Sequence, residues 1–323
     1  MNFLYLLFLM FLSMCSITHV NGVLWSNLAI DGVKQDTGYE PDVLDDIYLR
    51  YHTRMFPAST GRYPSWSDCT WDQIHYYLLW TYIHLYPKFD NFKRVMRVKG
   101  QGDGIGVKAF RDNIIPLAFR LAQAINELNW DARMDPRNHH VLFPTIFTGI
   151  VDTFPITISC PLSSQAQYLF FAKKYEACVV KVQMACTFLR DIIFFSGPHA
   201  GAECDGTLGV NHVDTLDFEP NEMWLGDGIY FVCSRLIVPH RKPQNGCLTR
   251  HQIIENDLFA EARSAIEQVN ALIVHHLAFE GRNFRGDTSL LGVFLKITIH
   301  ATALYIRMGY ARLPGVGPWS HML

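Results

Sequence analysis

Two hydrophobic periods alternate along this chain. Val43–Arg54 and Trp71–Tyr86 carry apolar and aromatic residues at helical spacing. The second is apolar almost throughout and ends at Pro87, the pattern of a buried helix. Val107–Asn126 repeats Phe110, Ile114, Leu117 and Leu121 at the same period and predicts a helix despite Pro116. Beyond residue 140 the period shortens. Phe147–Asp152 is a short apolar run ending in an acid. Cys178, Val180, Val182, Met184 and Cys186 alternate with Lys181 and Gln183, which predicts a strand. Asp191–Ser196 predicts a second, and Thr187–Arg190 is short enough to join the two as a hairpin. Ser196–Gly201 is a turn cluster, followed by Glu203-Cys204-Asp205, and Met223–Leu225 is a further short strand.

The helical period then returns. Thr249 and Gln252 form a capping box at the head of a run without Pro or Gly that extends to Glu280. Ala262, Ile266, Val269, Ile273 and Leu277 make its core stripe. Arg263, Glu267 and Asn270 share a neighbouring face. Leu290–Met308 is another apolar helical segment. There are no internal repeats or low-complexity tracts.

These patterns divide the chain. Residues 23–130 form a helical region with a Pro-, Gly- and Ser-rich loop at Pro57–Ser67. Asp131–Pro144 is a polar link that opens a second domain, 131–310, and 311–323 is a tail. Residues 1–22 stand apart. Asn2–Met14 is almost wholly apolar, and Ser16–Gly22 is small and polar. That fits a secretory leader without a basic start, a buried helix, or an upstream extension of the reading frame. It is short for a bilayer span, and no other segment is expected to form one.

Composition adds three constraints. The chain is 323 residues long, 49% hydrophobic and 18% charged, which is a folded composition. Net charge is −2, so any affinity for polyanions must be local. One local source is Lys88–Arg120, with eight basic residues against three acids. Arg94, Arg97, Lys99, Lys108 and Arg111 lie around glycines 100, 102, 104 and 106, between two helical segments. The segment is a helix-turn-helix candidate, with a solvated basic helix in a bundle as the plainer alternative. The eight cysteines are scattered, with no C-x-x-C pair. That argues against a zinc knuckle and gives little support for a disulfide framework.

The candidate chemistry lies in the second domain. Asp152 ends one apolar run, Asp227 follows Met223–Leu225, and Glu267 sits on a helix face, with Asp205 between the first two. Taken singly, an Asp after a strand is commonly a turn former and a Glu on a helix face is solvated. Brought to one point, three carboxylates repel unless a cation joins them, and Mg²⁺ suits oxygen ligands and substrate phosphates. Arg263, four residues before Glu267, could pair with it or hold a phosphate. Arg241 and Lys242 lie in the loop Pro239–Gly246 as backbone contacts for DNA or as solvated charges. His199, His251, His275 and His276 are assigned no role.

From about Trp80 to Met308 the chain resembles DDE transposases of the PIF/Harbinger type. The matching pieces are Gly149-Ile150-Val151-Asp152-Thr153 with Pro155-Ile156, Lys173-Lys174-Tyr175, Lys181-Val182-Gln183, Ser196-Gly197-Pro198 through Asp205-Gly206-Thr207, and Leu225-Gly226-Asp227. They continue through Pro239-His240-Arg241-Lys242-Pro243, Leu248-Thr249, Asn256, Arg263 and Ile266-Glu267. The resemblance implies an α/β fold: an RNase H-like catalytic domain, a mixed sheet flanked by helices, preceded by a helical N-terminal region. It implies a catalytic and metal-binding triad of Asp152, Asp227 and Glu267, with Asp205 and Arg263 as accessories. It further implies Mg²⁺ (or Mn²⁺), DNA as the substrate, strand cleavage and joining, and a nuclear site of action, against secretion if the leader is real. It leaves room for a helper DNA-binding protein and for a homo-oligomer. The chain departs from the family at Gly206, where Ser or Thr is usual, and at Gly228-Ile229, where the glycine usually comes second. Ile229 would be strained if that turn needs positive φ. A decayed or domesticated copy that only binds DNA or protein is the alternative.

Overall fold

The computed structural model describes residues 32–57, 70–97, 104–125, 128–140, 142–280 and 284–311. The leader, the Pro57–Ser67 loop beyond Pro57, Lys99 and the tail beyond Ala311 lie outside these residues. The chain packs as two compact units, Met1–Ile125 and Asn126–Leu323.

The first unit is helical. Its described elements are α1 (Val33–Thr37), α2 (Pro41–Met55), α3 (Trp71–Leu85), α4 (Phe92–Val95), α5 (Val107–Ala109) and α6 (Ile115–Ala124). The capping box of Thr70 with Gln73 opens α3. Ile74, Tyr76, Leu79, Trp80 and Ile83 of α3 are buried, and from α2 Val43, Leu44, Ile47 and Met55 are too. Phe110, Ile114, Leu117 and Leu121 are all buried, as their spacing predicts. A π-turn, Phe110–Ile114, separates α5 from α6 and brings Pro116 into the first turn of α6. There its missing N–H breaks no helical bond. Arg120 is a structural residue. Its Nε donates to the Met55 carbonyl at 2.6 Å, and Arg54 returns a bond to the Ala124 carbonyl at 3.1 Å, which ties α2 to α6. At Gly104 (φ +60°) the chain folds back on α4, and a Cβ there would stand 2.2 Å from the Lys93 carbonyl oxygen, so only glycine fits.

The second unit is built on a mixed sheet. Its strands are β1 (Phe147–Thr157), β2 (Phe171–Ala172), β3 (Ala177–Cys186), β4 (Ile192–Ala200), β5 (Met223–Leu225) and β6 (Leu236–Ile237). β1 and β4 flank β3 antiparallel, and β2 pairs with the first residues of β3. β5 runs parallel to β1 on its other edge, and β6 parallel to β5. The helices are α7 (Ser164–Phe170), α8 (Asp205–Leu208), α9 (Arg250–Val274) and α10 (Thr288–Arg307). α9 packs on β1 and β3, and α10 on β4 and α9. This is the mixed sheet flanked by helices that the resemblance implies.

Three expectations are corrected here. Asp152 does not end its strand. β1 continues through Thr153–Thr157, paired with β3 at every position from Ile150 to Thr157. Ser196–Gly201 is not simply a turn, because β4 runs to Ala200 through a cis Gly197–Pro198 bond. A register shift opposite Lys181–Gln183 absorbs Pro198, which has no N–H for the ladder. α9 ends at Val274, short of Glu280. A fourth concerns α10. At 20 residues with mean hydropathy 1.6 it meets the length and composition of a membrane span. Its Leu291, Phe294, Leu295, Ile297 and Ile299 are buried in the unit.

Every residue from Cys178 to Phe188 is buried, including both faces of β3, because β3 is covered on each side. One face carries a core of Val151, Ala185, Ile193, Val213, Phe218, Trp224, Tyr230 and Leu236. Beside it lies a buried ion pair, Arg133 Nε to Glu222 Oε1 at 2.9 Å. Glu222 also accepts from Thr148 and from the Glu219 N–H, and Arg133 stacks on Trp130. The pair is fully bonded, as a buried charge requires.

Candidate active site

The sheet register sets Asp152 and Asp227 level with each other. Ile150 of β1 pairs with Leu225 of β5, and β5 ends there. Asp152 and Asp227 each lie two residues further on adjacent parallel strand paths, so their backbones run level. Past Ile150 this edge of β1 has no described strand partner, and the sheet opens into a cleft. α9 crosses it. Asn270 Nδ2 donates to Asp152 Oδ2 at 3.4 Å. Glu267 and Arg263 stand one and two turns before Asn270 on the same helix face.

Asp152 feels the other two acids. Burial pushes the Asp152 carboxyl up to about 6. Arg263 lowers it, as does the Thr153 N–H, while Asp227 and Glu267 raise it. Arg263 Nη1 lies 3.7 Å from Asp227 Oδ1, so it pairs with Asp227 rather than with Glu267. Its Nε is buried without a hydrogen bond. Glu267 is exposed, and Asp227 is half-exposed with its Oδ1 accepting from the Gly228 N–H. Asp205 is held differently. The buried Lys181 Nζ reaches its carboxylate at 2.8 Å and the Glu203 carbonyl at 2.5 Å.

Beneath the acids lies a polar cluster whose role is not evident from sequence. Tyr230 Oη and Thr153 Oγ1 are 2.6 Å apart, and Gln183 Nε2 donates to the same phenol at 3.3 Å. Tyr230 is fully buried, and it pins the Asp227–Tyr230 turn to β1 one residue from Asp152. Period-2 alternation places Gln183 on β3 but gives no sign that it opposes Thr153, which follows from the pairing register.

The departures at Gly206 and Ile229 meet in space. A Cβ on Gly206 would stand 2.7 Å from the Ile229 carbonyl oxygen. Ile229 is not among the described residues with positive φ, so the expected strain is absent. The turn's backbone lies against position 206, and glycine there makes room.

The loop after β6 is tied to α9. His240 N–H donates to Asn256 Oδ1 at 2.8 Å, Asn256 returns a bond to the His240 carbonyl at 3.0 Å, and His240 Nε2 meets Glu255 at 2.6 Å. Arg241 donates to the Gly228 carbonyl and lies 4.2 Å over the Phe231 ring, while Lys242 is exposed. Arg94, Arg97, Lys108 and Arg111 are exposed in the first unit. Along the seam of β1 and α9, a cavity of about 400 Å³ is lined by Pro155, Thr157, Ala271, Val274 and His275.

Residues 151–282 match the family model for DDE superfamily endonucleases. The matched segment therefore runs from the middle of β1 through α9. It contains Asp152, Asp227 and Glu267, together with Asp205, Arg263 and the Arg241-Lys242 loop. The basic residues of the first unit lie outside it. No curated protein and no solved structure matches the chain. The family implies a transposase-like nuclease with DNA as substrate and, in general, divalent metal ions.

The donor set suits such an ion in kind. Three carboxylates are hard oxygen ligands, one of them buried and destabilised as an anion by the other two. In position it is open. Among the described residues no three of His, Cys, Asp and Glu are close enough to enclose a metal.

Proposed function

We propose that the second unit is a PIF/Harbinger-type, metal-dependent DNA endonuclease that uses Asp152, Asp227 and Glu267. The supporting observation is that Asp227, just past β5, and Glu267 on α9 both act on the buried Asp152 of β1. When bound, Mg²⁺ or Mn²⁺ would activate a water or hydroxyl and stabilise the leaving oxygen of the phosphodiester. Asp152 would be the fixed ligand, set in the sheet and oriented by Asn270. Asp227 and Glu267, more exposed, would supply the remaining carboxylate ligands. Tyr230, Thr153 and Gln183 position the Asp227 turn. Arg263 neutralises Asp227 in the metal-free site and, released from it, can hold a phosphate. Lys181 holds Asp205 in an ion pair at the margin.

Arg241 and Lys242 would position the DNA backbone beside the site, and Arg94, Arg97, Lys99, Lys108 and Arg111 would supply a separate, sequence-independent contact. Such a protein acts where DNA is, in the nucleus.

The test is nicking of supercoiled DNA by the full chain with Mg²⁺ or Mn²⁺. Wild type should cleave, and Asp227→Ala should lose at least about 100-fold in rate. Calorimetric titration of Mn²⁺ should show binding in wild type and none in Asp152→Ala. Cleavage that survives both substitutions would sink the triad. A folded wild type that neither binds metal with DNA present nor cleaves would make this a DNA-binding derivative of the fold.

A further inference from the structure

Cys160 and Cys178 bring their sulfur atoms to 2.7 Å. Cys160 lies just past the end of the β1–β3 ladder, whose last pair is Thr157 with Val179. The two segments still run together there, since Ile158 N–H donates to the Cys178 carbonyl at 3.0 Å. Between the cysteines the chain leaves the sheet, forms α7 and β2, and returns. This excursion exposes Leu162, Tyr168, Leu169 and Phe171. The sulfurs stand at its neck. Cys160 is open to solvent and Cys178 is buried beside it.

We infer that Cys160 and Cys178 are an oxidisable pair that closes the neck of the 161–177 excursion with a disulfide when the protein meets a small-molecule disulfide. This is independent of the endonuclease reading. The exchange has two steps. Cys160 loses its proton to solvent and attacks one sulfur of the oxidant, giving a mixed disulfide and one small thiolate, which takes up a proton. Cys178 then loses its proton and attacks the Cys160 sulfur, expelling the second small thiol. Two protein thiols and one small disulfide become one protein disulfide and two small thiols. The two electrons pass from the protein sulfurs to the oxidant. Exposure makes Cys160 the first to react. Burial and its contact with Cys160 push the Cys178 thiol up, so Cys178 is the slower nucleophile and reacts second.

Cross-linking here constrains the unfolded chain and fixes the start of β3 against the end of β1. Lys181, which holds Asp205, lies three residues further along β3.

The test uses the full chain equilibrated with glutathione disulfide, alkylated with iodoacetamide and digested with trypsin without reduction. Cleavage after Arg137, Lys173, Lys174 and Lys181 places the two cysteines in separate peptides, 138–173 and 175–181. The expected result is one species joining these peptides, lost on reduction and absent from Cys160→Ser. The oxidised wild type should melt above the reduced form, and Cys160→Ser, altered only at an exposed position, should show no such difference. Full alkylation of both cysteines after equilibration, or linkage of Cys160 to a different cysteine, would overturn the inference.

Discussion

Asp152 is held at a disadvantage. Its carboxyl ionises near 6 instead of the ordinary 3.8, chiefly because it is buried. A raised carboxyl pKa stabilises the folded state at low pH, and that contribution is lost as pH rises. It is full below about 3.8, declines through the window between 3.8 and 6, and is gone above it. The difference corresponds to roughly 1–3 kcal/mol. Asp152→Asn cannot ionise, so at pH 8 it should melt above wild type by that order, and the gap should close at pH 3.5. A constant gap at both pH values would mean that the amide acts by packing, not by charge. Metal binding by wild type should strengthen as pH rises through 6, since the ligand form is the carboxylate. Arg263 works in the opposite direction to burial. Arg263→Gln should move the Asp152 carboxyl still higher, read by carbon-13 titration of the labelled side chain. An unmoved titration would show that the guanidinium does not serve as the resident countercharge.

At the scale of elements, the sheet that carries the site leans on groups outside it. The Arg133–Glu222 pair joins the turn before β1 to the turn before β5, and both side chains are buried. Removing one partner leaves the other charged and dry, so Glu222→Ala should cost about 3–5 kcal/mol in chemical denaturation. A loss under about 1 kcal/mol would mean that water reaches the vacated position. The close approach at Gly206 makes a second claim. Gly206→Ser, toward the usual family residue, should destabilise by roughly 1–3 kcal/mol because its Cβ meets the Ile229 backbone. The usual Ser or Thr is then excluded by the turn, not merely missing. These interactions mark what sequence can and cannot convey. The capping box at Thr249, the β3–β4 hairpin and the buried Phe110–Leu121 stripe rest on local chemistry, and they are legible residue by residue. The full lengths of β1 and β4 are not, since Pro155 and Gly197-Pro198 look like strand ends until a partner strand and a bulge accommodate them. The acids are legible through their order. The Thr153–Tyr230–Gln183 cluster, the Lys181–Asp205 pair and the Arg263–Asp227 pair depend on register between distant segments, which no local pattern encodes.

Across the whole molecule, charge is divided by task. The chain is slightly acidic, at −2, yet its first unit exposes Arg94, Arg97, Lys108 and Arg111 around the Gly104 turn. The proposed site in the second unit carries acids that repel DNA until a cation joins them. The two contributions to DNA binding should therefore separate by salt. Every phosphate that the protein ceases to neutralise lowers the slope of log affinity against log salt by about 0.9. Replacing Arg94 and Arg111 with Gln should lower that slope by nearly two and weaken binding about equally for all duplex sequences. Calorimetric Mn²⁺ binding in the absence of DNA should not change, because neither residue belongs to the matched segment, 151–282. Asp227→Ala should do the reverse, abolishing cation binding while leaving the salt slope measured in chelator intact. If the Arg94 and Arg111 replacements leave the slope unchanged, the basic helices of the first unit are a solvated face, and DNA must be held by Arg241, Lys242 and the acid-bound ion alone.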